Sequence, residues 1–327
     1  MEARALLPEV VTKLAASVHE RAFLAKQRRR LVRIAAYRRP PTDVAALIAA
    51  LQRKTLVFTI TAGRTGTTYL QELLGLFPDT TSLHEPNPAF VSLLRLAQHD
   101  PDLARQFLLE YKLPSIAASE RGRYVEVSHL LCKGFLEPLL GLGLRPGFVV
   151  LRRSPGRIAA SYLARRTVPA RTKLGLKYLL HPGDPGVLPL PQWTRRSDYQ
   201  LCFWYALEIE RRQAAYMTEL GARGITCVDV TAEELHDADC FLAMARALHL
   251  LDAAADLDTL RRRHRALSAV THNANRAGLP QARGVASDED AVWAAIAPAA
   301  PGLRAQVERR YDDPPPVRHA CASQTGR

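Results

Sequence analysis

The stretch Thr55–Phe77, TLVFTITAGRTGTTYLQELLGLF, decides the reading of this chain. A β-branched, apolar run ends in a Gly/Thr loop, and a helical apolar pattern follows at once. Such a strand–loop–helix unit makes an anion cradle, because the first amides of a helix have no partner within it and point at whatever docks there. Gly63 and Gly66 allow tight turning and close approach of the backbone. Thr67 and Thr68 stand where the helix begins, and Arg64 puts a permanent charge on the loop. A nucleoside triphosphate loop needs G-x-x-x-x-G-K-[ST]. No lysine follows Gly66, which disfavours kinase or ATPase chemistry. Taken alone, the loop also allows a Gly/Thr turn that binds nothing.

Outward from that unit, short apolar runs alternate with helical patterns. Strands are expected at Tyr124–Ser128, Gly147–Arg153 and Ile225–Val230. Helices are expected at Gly156–Arg166, Asp198–Leu220, Ala238–Leu250 and Asp256 to about Ala269, with a mixed, mainly helical region over 88–120. The alternation predicts an α/β fold, a central and mostly parallel sheet covered by helices on both faces. The expected organisation is a basic helical extension over 1–41, one α/β domain over 42–311 and a disordered tail over 312–327.

A second polar constellation lies on the strand GFVVLRR. Arg153 ends it, Pro155 opens the next helix, and Ser161 follows Arg153 by eight residues. Both can face one phosphate at the carboxyl edge of the sheet.

Together the two motifs resemble the sulfotransferases that use 3′-phosphoadenosine 5′-phosphosulfate. That family's 5′-phosphosulfate loop has the form K/R-[ST]-G-[ST]-[ST]-[WYLF], and Arg64-Thr65-Gly66-Thr67-Thr68-Tyr69 fits it. Its 3′-phosphate signature, a strand ending in Arg with Ser eight residues on, fits Arg153 and Ser161 in LRRSPGRIAAS. A weaker likeness continues through Val228–Leu235, VDVTAEEL. The resemblance implies a P-loop-like sulfotransferase architecture and sulfuryl transfer to a hydroxyl acceptor without a metal. It implies that Gly63, Arg64, Thr65, Gly66, Thr67 and Thr68 hold the phosphosulfate, that Tyr69 takes the place of an adenine-stacking aromatic, and that Arg153 and Ser161 bind the 3′-phosphate. Arg276, in Asn273–Gly278, departs from the family's Arg-Lys-Gly form and is left unassigned.

In-line displacement at sulfur needs fixed cations for the leaving group and a base for the acceptor proton. Arg64 suits the first task. Glu85 is the preferred base: Leu83-His84-Glu85-Pro86 is similar to the glutamate segment of carbohydrate and tyrosylprotein sulfotransferases, and Pro86 predicts an extended Glu85. A pairing of Glu85 with a nearby arginine remains open, as does His84 as the base, and His129 is a candidate pocket residue. Trp204 and Tyr205 have core spacing, and Glu208–Arg212 that of a surface ion pair.

Composition narrows the partners. The 327 residues carry 45 Lys+Arg against 32 Asp+Glu, a formal +13, which suits an anionic ligand, nucleic acid or a lipid surface. The run Lys26–Arg33 is compatible with weak contact to a membrane surface, although a solvated helix face explains it as well. No DNA-reading or RNA-binding motif is present, so a nucleic-acid partner is not expected. Cys132, Cys202, Cys227, Cys240 and Cys321 are scattered without a CxxC pair, which argues against zinc and for reduced thiols. Without an apolar signal core or a bilayer-length apolar run, the expected location is the cytoplasm. The acceptor class expected from the glutamate-type likeness is a carbohydrate, glycolipid or small metabolite. The rivals are a small-molecule kinase on the same fold and a non-catalytic basic protein that binds nucleic acid or membrane.

Overall fold

The computed structural model describes residues 43–270 and 286–311, with scattered helical positions between 18 and 29. The expected tail and the segment holding Arg276 lie outside them, as does most of the expected N-terminal helix. At its centre is a five-stranded parallel sheet in the order β2–β3–β1–β4–β5. The strands are β1 (Thr55–Thr61), β2 (Thr80–His84), β3 (Arg123–Val127), β4 (Gly147–Arg152) and β5 (Cys227–Thr231). The α/β class read from the alternation is therefore the observed one.

Burial on both faces explains the apolar runs at the centres of β1 and β4, Leu56–Phe58 and Phe148–Leu151. Side chains alternate across the pleat. Phe58, Ile60, Phe148 and Val150 face one layer, and Val57, Val149 and Leu151 face the other. The first layer is built on helices α3 (Pro155–Ala164) and α4 (Asp198–Ala222). The second contains α2 (Thr67–Leu74), which follows the short helix α1 (Val44–Gln52), together with α5 (Ala238–Ala247) and α6 (Leu257–Ser268).

Local chemistry starts these helices where they start. Asp43 accepts from the Ala46 amide ahead of α1, and Ser197 and Gln200 form a reciprocal capping box at α4. Asp237 and Asp256 cap α5 and α6 in the same manner. Pro155 occupies the first turn of α3, where its missing N–H costs nothing.

The order of the strands places the site. β1 and β4 are neighbours, yet α2 leaves β1 for one face while α3 leaves β4 for the other. The divergence opens a crevice at the carboxyl ends of the two strands, where open α/β sheets bind ligands.

Three sequence readings are amended. The edge strand β2 was not anticipated, because TTSLH is polar and half-buried at most, without an apolar run. Helices α7 (Ala286–Ile296) and α8 (Leu303–Tyr311) were not read either; α7 buries Val292, Trp293 and Ile296 in the α4 layer. Glu208 is fully buried rather than on the surface: it accepts from Arg211, Arg212 and the Leu188 amide, since the chain around Leu188 covers that face of α4.

Candidate active site

At the end of β1 the chain turns through three left-handed residues, Gly63, Arg64 and Gly66, with φ of 78°, 61° and 95°. Arg64 adopts this conformation without glycine's freedom, at a cost of about 1 kcal/mol or more. The surroundings hold the turn in place. The Ala62 carbonyl accepts hydrogen bonds from two buried phenols, Tyr162 at 2.7 Å and Tyr205 at 2.7 Å. Thr65, almost fully buried, shares a 2.6 Å hydrogen bond with Thr61. Gly66 then caps α2 with its backbone alone, so the first-turn amides at Thr67 and Thr68 receive no side-chain acceptor from the cap.

The two motifs found in the sequence meet here. The Arg64 Nε donates to Ser161 Oγ at 3.1 Å, and the Arg153 Nη1 donates to the Arg64 carbonyl at 2.8 Å. Pleat alternation sorts the two arginines that end the β4 run. Arg152 turns inward to Glu210 at 2.5 Å, Gln213 at 2.9 Å and Asp229 at 2.6 Å. Arg153 turns the opposite way, to the loop. Tyr69 sits apart from this cluster, 5% exposed, its ring stacked on His236 at 4.8 Å and its hydroxyl bonded to Ser268 at 2.7 Å. Thr68 is exposed, and the Thr67 hydroxyl is bonded to His84 Nε2 at 3.0 Å.

Glu85 lies one residue past β2. It is not extended as Pro86 suggested. Its φ is +48°, while its amide still reaches the Val127 carbonyl at 3.2 Å. That last rung holds Glu85 beside β3, and the left-handed turn puts its carboxylate 3.2 Å from His129 Nε2. The partner is thus a histidine rather than an arginine. The His129 ring in turn lies against the glycine loop, since a Cβ on Gly63 would come within 3.0 Å of His129 Cγ.

Behind His129 stands Lys133, fully buried. Its Nζ lies 2.7 Å from His129 Nδ1, donates to the Tyr178 carbonyl at 2.8 Å and sits 4.9 Å above the Tyr205 ring. Burial brings the Lys133 ammonium down to about 7, with Arg212 and Arg95 adding to the effect and Cys132 and Glu85 opposing it. Burial, followed by the charges of Lys133, His84 and Arg64, holds His129 well below the usual imidazole range. His129 is therefore neutral, and its hydrogens can be assigned from its neighbours. A carboxylate only accepts, so Nε2 carries the proton toward Glu85, and Nδ1 receives the Lys133 N–H.

A second buried pair steadies the same loop. Lys112, at the end of a π-helical turn Leu108–Lys112, bonds Glu126 at 2.9 and 3.0 Å and reaches the Pro86 carbonyl at 3.3 Å. Breaking such a pair by removing one partner typically costs about 3–5 kcal/mol. Neither Lys112 nor Lys133 was singled out from the sequence, because the partners of each are distant along the chain or hidden in a turn.

Among the described residues, no group of three or more His, Cys, Asp or Glu side chains is arranged to hold a metal, and no helix is long and apolar enough to cross a membrane. No family model matches the chain, and neither does any curated protein. Among solved structures, the chain is similar to retinol dehydratase in complex with androsterone and the inactive cofactor PAP, at 15% identity and a TM-score of 0.38, over 83% of this chain and 84% of that one. A likeness of that degree identifies neither an activity nor a ligand.

Proposed function

We propose that this chain is a sulfotransferase that moves a sulfuryl group from 3′-phosphoadenosine 5′-phosphosulfate to an acceptor hydroxyl. The reading rests on one observation: Arg64, Arg153 and Ser161 form a connected cluster at the crevice between β1 and β4, beside the glycine turn. The donor chemistry suits these residues. Two cations, a serine hydroxyl and the first-turn amides of α2 surround a backbone that a Cβ at Gly66 would crowd, at 2.8 Å from Ala232 Cβ. Such a surface favours a ligand that is anionic at more than one point.

When bound, the donor supplies the activated sulfuryl group and a bisphosphate leaving group. In this reading the Gly66–Thr68 amides and Arg64 hold the phosphosulfate end, and Arg64 stabilises charge as it builds on the leaving phosphate. Arg153 and Ser161 hold the 3′-phosphate. Glu85 accepts the acceptor proton, and His129 orients its carboxylate through Nε2–H. Carbohydrate, glycolipid and small hydroxylated metabolites are the acceptor classes to test.

Calorimetry with adenosine 3′,5′-bisphosphate, adenosine 5′-monophosphate, ATP and duplex DNA tests the reading. The bisphosphate should bind at least ~10-fold more tightly than the monophosphate, since a hydrogen bond to a charged group contributes about 1.5–3 kcal/mol. Equal affinity for the two, or binding of ATP or DNA alone, would overturn it. Transfer of label from radiolabelled donor to a panel of hydroxylated acceptors then identifies the acceptor.

A further inference from the structure

We propose that Lys133 is a positioning residue: by donating to Nδ1 it keeps His129 as the neutral Nε2–H imidazole that aims the Glu85 carboxylate at the acceptor. The role as support for a base rests on the function proposed above. The protonation state of His129 does not.

Donor and acceptor capacity carry the argument. Lys133 is buried with its Nζ aimed at two acceptors, the Tyr178 carbonyl at 2.8 Å and His129 Nδ1 at 2.7 Å. An amine has two N–H donors when neutral and three when charged, so it can serve both acceptors in either state. An Nδ1 that receives a hydrogen cannot also carry a proton, and the ring's one hydrogen must then sit on Nε2, 3.2 Å from the Glu85 carboxylate. The Glu85 end of the chain Lys133–His129–Glu85 therefore demands this tautomer, and Lys133 can donate to the bare Nδ1 in either of its charge states.

Removing the lysine removes the constraint. With Nδ1 open, a second proton is drawn in by Glu85. The resulting imidazolium pairs with the carboxylate as an ion and weakens it as a base. The groups that act on this chain are Arg64 on the glycine turn, His84 at the end of β2, Cys132 next to Lys133, Arg212 and Tyr205 on α4, Tyr178, and Arg95. Most of the charges in this set are positive, which also keeps His129 neutral. Lys133 is the one bonded to the ring.

Nitrogen-15 NMR of histidine-labelled protein reads this directly. The chain has 10 histidines, and the His129 pair of resonances is the one lost in His129→Gln. In the wild type, Nε2 should be protonated and Nδ1 bare across neutral pH. In Lys133→Met, which preserves length and burial, the proton affinity of His129 should rise at least ~10-fold, one unit on its titration. Lys133→Gln, whose amide can still donate to Nδ1, should hold the wild-type tautomer. A wild-type Nδ1 that carries the proton overturns the proposal, and so does a Lys133→Met protein with an unmoved His129 titration. The wild-type spectrum decides even if a variant does not fold. Calorimetry with adenosine 3′,5′-bisphosphate on the same samples separates the two readings: an unbound bisphosphate rejects the sulfotransferase while the tautomer result stands.

Discussion

Gly63 and Gly143 offer a controlled comparison, because both have φ of +78° and differ in what surrounds them. An alanine at either position meets the left-handed penalty of about 1–2 kcal/mol, partly offset by about 0.4–1 kcal/mol from a less flexible unfolded chain. At Gly143, nothing lies within 4 Å of an added Cβ, so Gly143→Ala should cost about 1 kcal/mol or less. At Gly63, the Cβ would fall 2.5 Å from the Tyr162 hydroxyl and 3.0 Å from His129 Cγ. The phenol must then leave the Ala62 carbonyl, which keeps its bond to Tyr205, while the buried Tyr162 hydroxyl loses that backbone acceptor. That loss costs about 1–3 kcal/mol, and displacing the imidazole adds about 1 kcal/mol or more of overpacking. Gly63→Ala should therefore be about 2–4 kcal/mol less stable than Gly143→Ala in urea unfolding. It alone should also lose affinity for adenosine 3′,5′-bisphosphate, since the displaced loop is the proposed cradle. Equal stabilities, or an undiminished affinity in Gly63→Ala, would refute the crowded turn as described.

Four other outcomes are expected. Arg64→Ala should lower turnover about 100- to 1,000-fold, the usual loss when one donor to developing charge is removed, and near-normal turnover in labelled transfer assays would reject that role. Glu85→Gln should keep bisphosphate affinity and lose turnover, because the amide oxygen can still accept from His129 but takes no proton; an active variant would move the base to His84 or His129. Arg153→Ala should weaken bisphosphate binding at least ~10-fold by calorimetry, with the monophosphate little affected, and an unchanged preference would remove Arg153 from the 3′-phosphate site. The folded state holds the Lys133 ammonium at about 7 against an ordinary 10.5, so the unfolded chain binds more protons between those values. Its contribution to stability should therefore rise with pH across that window and fall on the way down to about 7, and Lys133→Met should flatten this slope in urea titrations.

What could be read from the chain follows from which physical constraints are local. β1 and β4 announce themselves because burial on both faces forces an apolar run, whereas β2 lies at the sheet edge and tolerates TTSLH. Arg153 and Ser161 were legible as a spacing on one strand–helix turn. The separate fate of Arg152 needed the pleat and the carboxylates of α4 and β5 to be seen together. Periodicity makes Glu208 and Arg212 neighbours on α4 but does not say which face the later chain covers, and the surface reading failed there. The Glu85–His129 pair joins two strand ends far apart in sequence, so no local pattern reports it. The left-handed Glu85 has the same origin: the tertiary rung to Val127 outweighs the preference that Pro86 imposes.

The site also carries an internal electrostatic argument for an anionic ligand. Arg64 and Arg153 meet at one turn, with the neutral His129 and then the buried Lys133 directly behind, and Glu85 is the carboxylate drawn into that group. Cations gathered in a partly desolvated crevice repel one another, and a fold keeps such an arrangement only where something else offsets the cost. Part of that offset is structural: two phenols clamp the Ala62 carbonyl, and the Lys112–Glu126 pair braces Pro86. The rest is available to a bound anion, which relieves the repulsion in the folded state alone. A ligand with two separated phosphate-type groups should thus raise the unfolding midpoint more than a singly phosphorylated one. Because the crevice is open to solvent, the gain should shrink as added salt screens the same charges.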